Sequence, residues 1–215
     1  STLEEGYGIN LVPLATFAME TYKDDDCKEF LPKLSGGAAA MDEKTQRLTS
    51  QMHKAIAVIQ FKLESQLFKK HPEWKMKDRC LFDHIDYRKG KVEIYGKEYD
   101  MTSCHFPTID PDNPDKLSEE EEILIQKLHH SFMVCEKLHK HINVMLQHGC
   151  MYAIFNNNLL FHASCPLNED GSLKEVEIYP GKKFSGRALM HHTGMQIRTA
   201  FQSDSDPNEK EYAID

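Results

Sequence analysis

The feature that most constrains this chain is a pair of long stretches with helical period. From Asp42 to about Lys70, Leu48, Met52, Ile56, Ile59, Leu63 and Leu67 recur at intervals of four, four, three, four and four, the period of one helix face. This spacing predicts a buried stripe, with Lys44, Gln51, Lys62 and Glu64 facing out, and Pro72 marks the end. A second stretch opens at Ser118. Ser118 and Glu121 form a capping box, and Glu119 to Glu122 place negative charge at the positive end of the helix dipole. Leu124, Leu128, Phe132, Cys135, Leu138, Ile142 and Met145 make one stripe. Lys140, His141 and His148 gather at the far end, and Gly149 supplies a stop. One continuous helix over this span measures roughly 45 Å. A small core does not cover it, so the helix over 42–70 is expected to lie along it.

The rest alternates between short elements. Pro13 suits the first turn of a helix after Asn10, and KDDDCKEFLPK allows a second short helix. LSGGAAAM is a small-residue connection. KVEIYGKEYDM, 91–101, alternates about a central Gly and reads as a hairpin. CHFPTIDPDNPDKL carries three prolines and reads as a fixed, irregular loop. After Gly149 the period shifts to two. CMYAIF and LLFH are apolar strands joined by NNN, and NEDG is a turn before a third strand, LKEVEIY. SGRALMHHTGMQIRTAF returns to helical spacing with Ser185 as a cap. SDSDPNEKEY is a polar tail. The fold class is α+β, divided as a mainly helical 1–149 and a 150–215 portion of strands and helix.

Charge and motifs narrow the chemistry. The net charge is −8 with no long basic cluster, which argues against a nucleic-acid partner. No apolar run approaches the roughly 20 residues that span a bilayer. None of the six cysteines forms C-x-x-C, and their places suit free thiols in a reducing cytosol. The twelve histidines include no H-E-x-x-H, and those at 129, 130, 139, 141, 191 and 192 read as polar helix faces. Asp83 to Asp86 reads as a loop or helix end. P-loop, G-x-G-x-x-G and G-x-S-x-G patterns are absent from the sequence. Lys182, Lys183, Arg187 and Arg198 are the concentrated positive charge. They fit either a phosphate beside a helix start or a solvated face. His162 closes the LLF strand before Ala163 and Ser164. It fits either a core histidine bonded to backbone or a ligand presented at a strand tip.

The stretches EEGYGINLVPLATFAMETY, MHKAIAVIQFKLE, FPTIDPDNPDKLSEEEE, HSFMVCEKLHKHI, MYAIFNNNLLFHASCPLNEDGS and SGRALM resemble the class III fructose-1,6-bisphosphatases, a bacterial family built on the metallophosphoesterase fold. The resemblance implies an internal piece of such an enzyme. In it, water activated between two divalent metals, usually manganese, removes the 1-phosphate of fructose 1,6-bisphosphate in gluconeogenesis. The family's D-x-H, G-D-x-x-D-R and G-N-H motifs would precede Ser1, and a last histidine motif would follow Asp215. His162 alone matches a metal-ligand position, next to Ala163 where the family often has Gly. The long helices and hairpin would be an insertion or cap, and the strands after 150 part of the catalytic sandwich.

On that reading the expected partner is a sugar bisphosphate, with Lys183 and Arg187 the substrate-binding candidates by charge. The setting is cytoplasmic and the assembly a homo-oligomer. The isolated segment should be inactive and bind metal weakly or not at all, with self-association or disorder in its C-terminal third. The rival readings are a helical protein-interaction module without catalysis, and a phosphoesterase of the same fold acting on another substrate.

Overall fold

In the structure, a computed structural model that describes residues 2–32, 42–162, 164–179 and 181–202, the first long period becomes α2, Glu43–Lys70. Asp42 caps it by accepting a hydrogen bond from the Thr45 N–H at 3.0 Å. Its buried line is rotated from the expected stripe. Ser50, Gln51, Lys54, Ala55, Val58, Ile59, Lys62 and Ser65 are buried, while Leu63 is 37% exposed. Gln51 and Lys62, expected to face out, therefore face in. Polar partners cause the rotation: the Gln51 amide donates to the carbonyls of Tyr22 at 2.7 Å and Asp25 at 2.9 Å. It thereby satisfies backbone oxygens beyond the end of α1, Val12–Thr21.

The helix α1 starts as its proline predicts, with the Asn10 side chain accepting from the Val12 N–H at 3.0 Å. Residues 28–30 form a single 3-10 turn, Lys28–Phe30, rather than a second helix, because Cys27 before it takes a left-handed φ of 52°. Asp25 supports that turn by accepting from the Cys27 N–H at 2.8 Å. The hairpin arrives as β2, Lys91–Ile94, and β3, Lys97–Asp100, across a turn whose Tyr95 and Gly96 both have positive φ. A short β1, Ile85–Asp86, pairs with β2 and completes a three-stranded antiparallel sheet.

The second long period does not yield one helix. It gives α3, Glu119–Met133, and α4, Glu136–His148. Neither Pro nor Gly stands at the break. The Val134 N–H still reaches the His130 carbonyl, but the Cys135 N–H falls back to Phe132 at 3.2 Å. The Cys135 thiol donates instead to the Tyr7 carbonyl at 3.2 Å. The expected helix-along-helix packing changes accordingly: α1 packs on both α2 and α3. Leu14, Ala18, Tyr22, Cys27, Ala55, Ile59, Leu124 and Leu128 form the core there.

The chain divides into two compact units, Ser1–Cys135 and Glu136–Asp215, so α4 falls with the strands. The second unit holds β4, Tyr152–Phe155, paired with β5, Asn158–Phe161. It also holds β6, Val176–Tyr179, paired with β7, Lys182–Phe184. Its last helix is α5, Gly186–Gln202. Both sheets are two-stranded and antiparallel. The expected third strand, 173–179, contracts to β6, and β7 is an addition. The small-residue connection at 34–41, Ala163 and the tail from 203 lie outside the described residues. All six cysteines are free.

Candidate functional site

His162 follows the last residue of β5. Asn156 and Asn157, with φ of 47° and 61°, make the tight turn that sets the hairpin register, Tyr152 opposite Phe161. That register delivers His162 to the open end of the hairpin, where it is exposed. Within the described residues His162 therefore lies outside any core. Among the described residues, no group of three or more His, Cys, Asp or Glu side chains could hold a metal. His162 is a single donor there, short of the several ligands that a divalent ion needs.

The positive residues separate into different roles. Arg187, in the first turn of α5, donates from Nε to the Tyr152 hydroxyl at 2.7 Å and lies 5.9 Å from its ring centroid. It lines a groove of about 460 Å³ together with Cys150, His191 and Arg198. Arg198 is committed to backbone: its three nitrogens donate to the carbonyls of Leu146, Gly194 and Gly149 at 2.8, 2.9 and 2.6 Å. It thus satisfies oxygens at the end of α4. Lys183 is exposed on β7 opposite Glu177 and does not line the groove. The structure thus brings Arg187 and Arg198 together, and leaves Lys183 and His162 outside that lining.

The first unit carries a polar network that the apolar spacing did not reveal. Lys62 Nζ, its side chain 0% exposed, sits 2.7 Å from Glu121 Oε2 and donates to the Thr108 carbonyl at 2.6 Å. Glu121 Oε2 also accepts from the Ser118 N–H at 2.8 Å. The capping-box carboxylate doubles as a buried counter-ion. Farther along α2, Gln66 donates to the Asp115 carbonyl at 2.6 Å, and Lys69 meets Asp115 at 2.8 Å and Asp83 at 3.1 Å. Four side chains of one helix, starting with Lys54, thus hold the proline-rich segment and its neighbours.

At the near end Lys54 Nζ lies 2.7 Å from Asp25 Oδ2, and the same oxygen faces His105 Nδ1 at 3.0 Å. The ammonium lies within 6 Å of three ring centroids, at 5.1 Å for Tyr22, 5.9 Å for Phe30 and 5.5 Å for Phe106. Burial pushes the Asp25 carboxyl up. The hydrogen bonds from Lys54, the Cys27 N–H and His105 outweigh it and hold the carboxyl well below the usual range. Burial, aided by the Asp25 charge, pushes the Cys27 thiol up to about 12, so this cysteine is an inert core residue. One sequence signal could have pointed here: lysines at 54, 62 and 69 sit at helical spacing beside the apolar stripe. The apolar pattern overrode it.

Comparison with known proteins fixes the family. A profile described as firmicute fructose-1,6-bisphosphatase matches residues 1–215, and the chain belongs to that family. It is 52% identical to a protein of Parabacteroides distasonis, 50% to one of Bacteroides thetaiotaomicron and 46% to one of Clostridium novyi. Each of these is named fructose-1,6-bisphosphatase class 3, and each match covers 100% of this chain. The chain spans 32% of the length of these relatives. No solved structure matches it.

Proposed function

We propose that this chain is part of a class III fructose-1,6-bisphosphatase, which hydrolyses fructose 1,6-bisphosphate to fructose 6-phosphate and phosphate in gluconeogenesis. The family match along the whole chain carries this reading. The finer assignments go with it. Residues 1–149 form an insertion or cap, and the strands after 150 belong to a metallophosphoesterase sandwich. The exposed apolar side chains of β4 and β5, Ile154, Phe155, Leu159, Leu160 and Phe161, support that placement. A two-stranded hairpin has two open edges and gains stability by joining a larger sheet.

His162 is proposed as one ligand of a divalent metal, manganese by resemblance. A neutral imidazole suits that ion, and the remaining ligands must come from outside the described residues. A metal there would act as a Lewis acid and lower the pKa of bound water. Arg187, held at Nε by Tyr152, and Lys183 are proposed substrate-phosphate contacts, since a guanidinium matches phosphate oxygens. The 215 residues alone are proposed to be inactive, and the complete enzyme a cytoplasmic homo-oligomer. Among the described residues no helix is long and apolar enough to cross a membrane.

The test is manganese-dependent phosphate release from fructose 1,6-bisphosphate by the full product of the gene, as wild type and as His162→Ala. The expected result is activity in the wild type and a fall of at least about 100-fold in the variant with its fold intact. Equal activity in both removes His162 from the metal site. An inactive wild type removes the assigned substrate.

A further inference from the structure

We propose that Tyr152 is the positioning residue of a phosphate subsite in the groove along α5, holding Arg187 so that its two terminal nitrogens are left for the anion. The proposal rests on the phosphatase reading for the source of the phosphate, and on the second unit alone for its geometry. Tyr152 is half-buried on β4, and its hydroxyl accepts from Arg187 Nε at 2.7 Å. Its ring centroid lies 5.9 Å from the guanidinium carbon, within range of a cation–π contact. The guanidinium is planar, so a bond at Nε and a ring beside it fix the plane of Nη1 and Nη2. Among the described residues those two nitrogens make no other hydrogen bond or ion pair. An arginine keeps its charge without help from neighbours, and one already oriented loses little side-chain freedom on binding.

The surroundings suit an anion. Arg187, Met190, His191, Gly194 and Arg198 recur along one face of α5 and line the groove with residues 150–154. Its volume of about 460 Å³ is that of a small-molecule site. Among the described residues none that lines it is acidic. Neither α5 nor the stretch 149–162 carries an Asp or Glu, in a chain of net charge −8. Gly194 keeps the floor open: a Cβ there would lie 3.1 Å from Arg198 Nη1 and 3.3 Å from Met151 Cγ. Arg198 commits its nitrogens to backbone carbonyls, so it adds positive field rather than a contact. His191, one turn beyond Arg187, offers a ring N–H in its neutral form. The hairpin register pairs Tyr152 with Phe161, directly before His162. The anchor of Arg187 thus stands at the hairpin end that carries the proposed metal ligand, and both belong to the second unit.

Labelling and kinetics of the full gene product test this. Phenylglyoxal modifies accessible guanidinium groups, and peptide mass spectrometry reads each arginine. Inorganic phosphate should slow labelling of Arg187 several-fold and leave Arg79 and Arg88, exposed in the first unit, unchanged. Tyr152→Phe keeps the ring and loses the hydroxyl. It should melt as the wild type does and require about tenfold more phosphate to protect Arg187. It should also raise the KM for fructose 1,6-bisphosphate about tenfold with kcat within about twofold. Arg187→Ala should raise KM about 100-fold, and Tyr152→Phe added to it should raise KM no further, because the hydroxyl acts through the guanidinium. Unprotected Arg187, unchanged protection or KM in Tyr152→Phe, or additive effects of the two substitutions each overturn the proposal. A Tyr152 that merely packs gives the last two results. If the wild type hydrolyses no fructose 1,6-bisphosphate while phosphate protects Arg187 and Tyr152→Phe weakens that protection, the phosphatase reading falls and the phosphate subsite stands.

Discussion

Lys62 shows what a single buried charge imposes on a helix. Its ammonium is out of water, so it must be neutralised and hydrogen-bonded where it lies. Glu121 and the Thr108 carbonyl do this at 2.7 and 2.6 Å. Glu121 is held by Lys62 in turn, and its Oε1 finds no hydrogen-bond partner among the described residues. Lys62→Met should therefore destabilise the protein by about 3–5 kcal/mol, because it leaves a buried carboxylate uncompensated. The double change Lys62→Met with Glu121→Leu should recover most of that loss, since burial of a matched apolar pair is close to neutral. Equilibrium denaturation of both variants decides the point. A double variant as unstable as the single would show that the Thr108 and Ser118 contacts dominate.

At the scale of elements, turns and caps act locally and packing acts across the sequence. The β4–β5 hairpin depends on two asparagines at positive φ, a backbone region that Asn tolerates and β-branched residues do not. The start of α5 depends on Gly186, with φ of 50°. A Cβ there would also lie 2.8 Å from Leu173 Cδ1. Gly186→Ala should destabilise the second unit by about 1–2 kcal/mol from backbone conformation. The loss should appear as a lower melting temperature of that unit's transition, with the first unit's transition in place. The break between α3 and α4 has no such local residue. There the Cys135 thiol donates a hydrogen bond to the Tyr7 carbonyl, far away in sequence.

At the scale of the molecule, the two compact units are unequal in core. Twelve of the fourteen buried hydrophobic residues named for the described chain belong to the first unit, and Leu189 and Ala200 to the second. Hydrogen exchange should follow this division. In the 215-residue segment by itself, the amides of α1 and the middle of α2 should be the most protected, and those of β4 and β5 should exchange faster by orders of magnitude, as an open two-stranded hairpin does. If the hairpin proves as protected as α2 in the full gene product, its apolar faces are covered there, which is the outcome the sandwich placement requires.

The sequence by itself determined what depends on neighbours in the chain. The Ser118 capping box, the Asp42 start, the proline at the start of α1, and the Tyr95-Gly96 and Asn156-Asn157 turns are legible because each rests on contacts within a few residues. The family was legible for a related reason, since long stretches of residues carry it. Tertiary structure decided which face of α2 is buried, where the long helix breaks, and that Lys54, Asp25 and His105 meet. Those outcomes involve partners 26 to 128 residues away. Apolar periodicity records only how a helix meets oil-like surroundings. It cannot register a buried ammonium whose counter-charge stands elsewhere in the chain, nor a buried amide such as Gln51 whose carbonyl partners lie in another element.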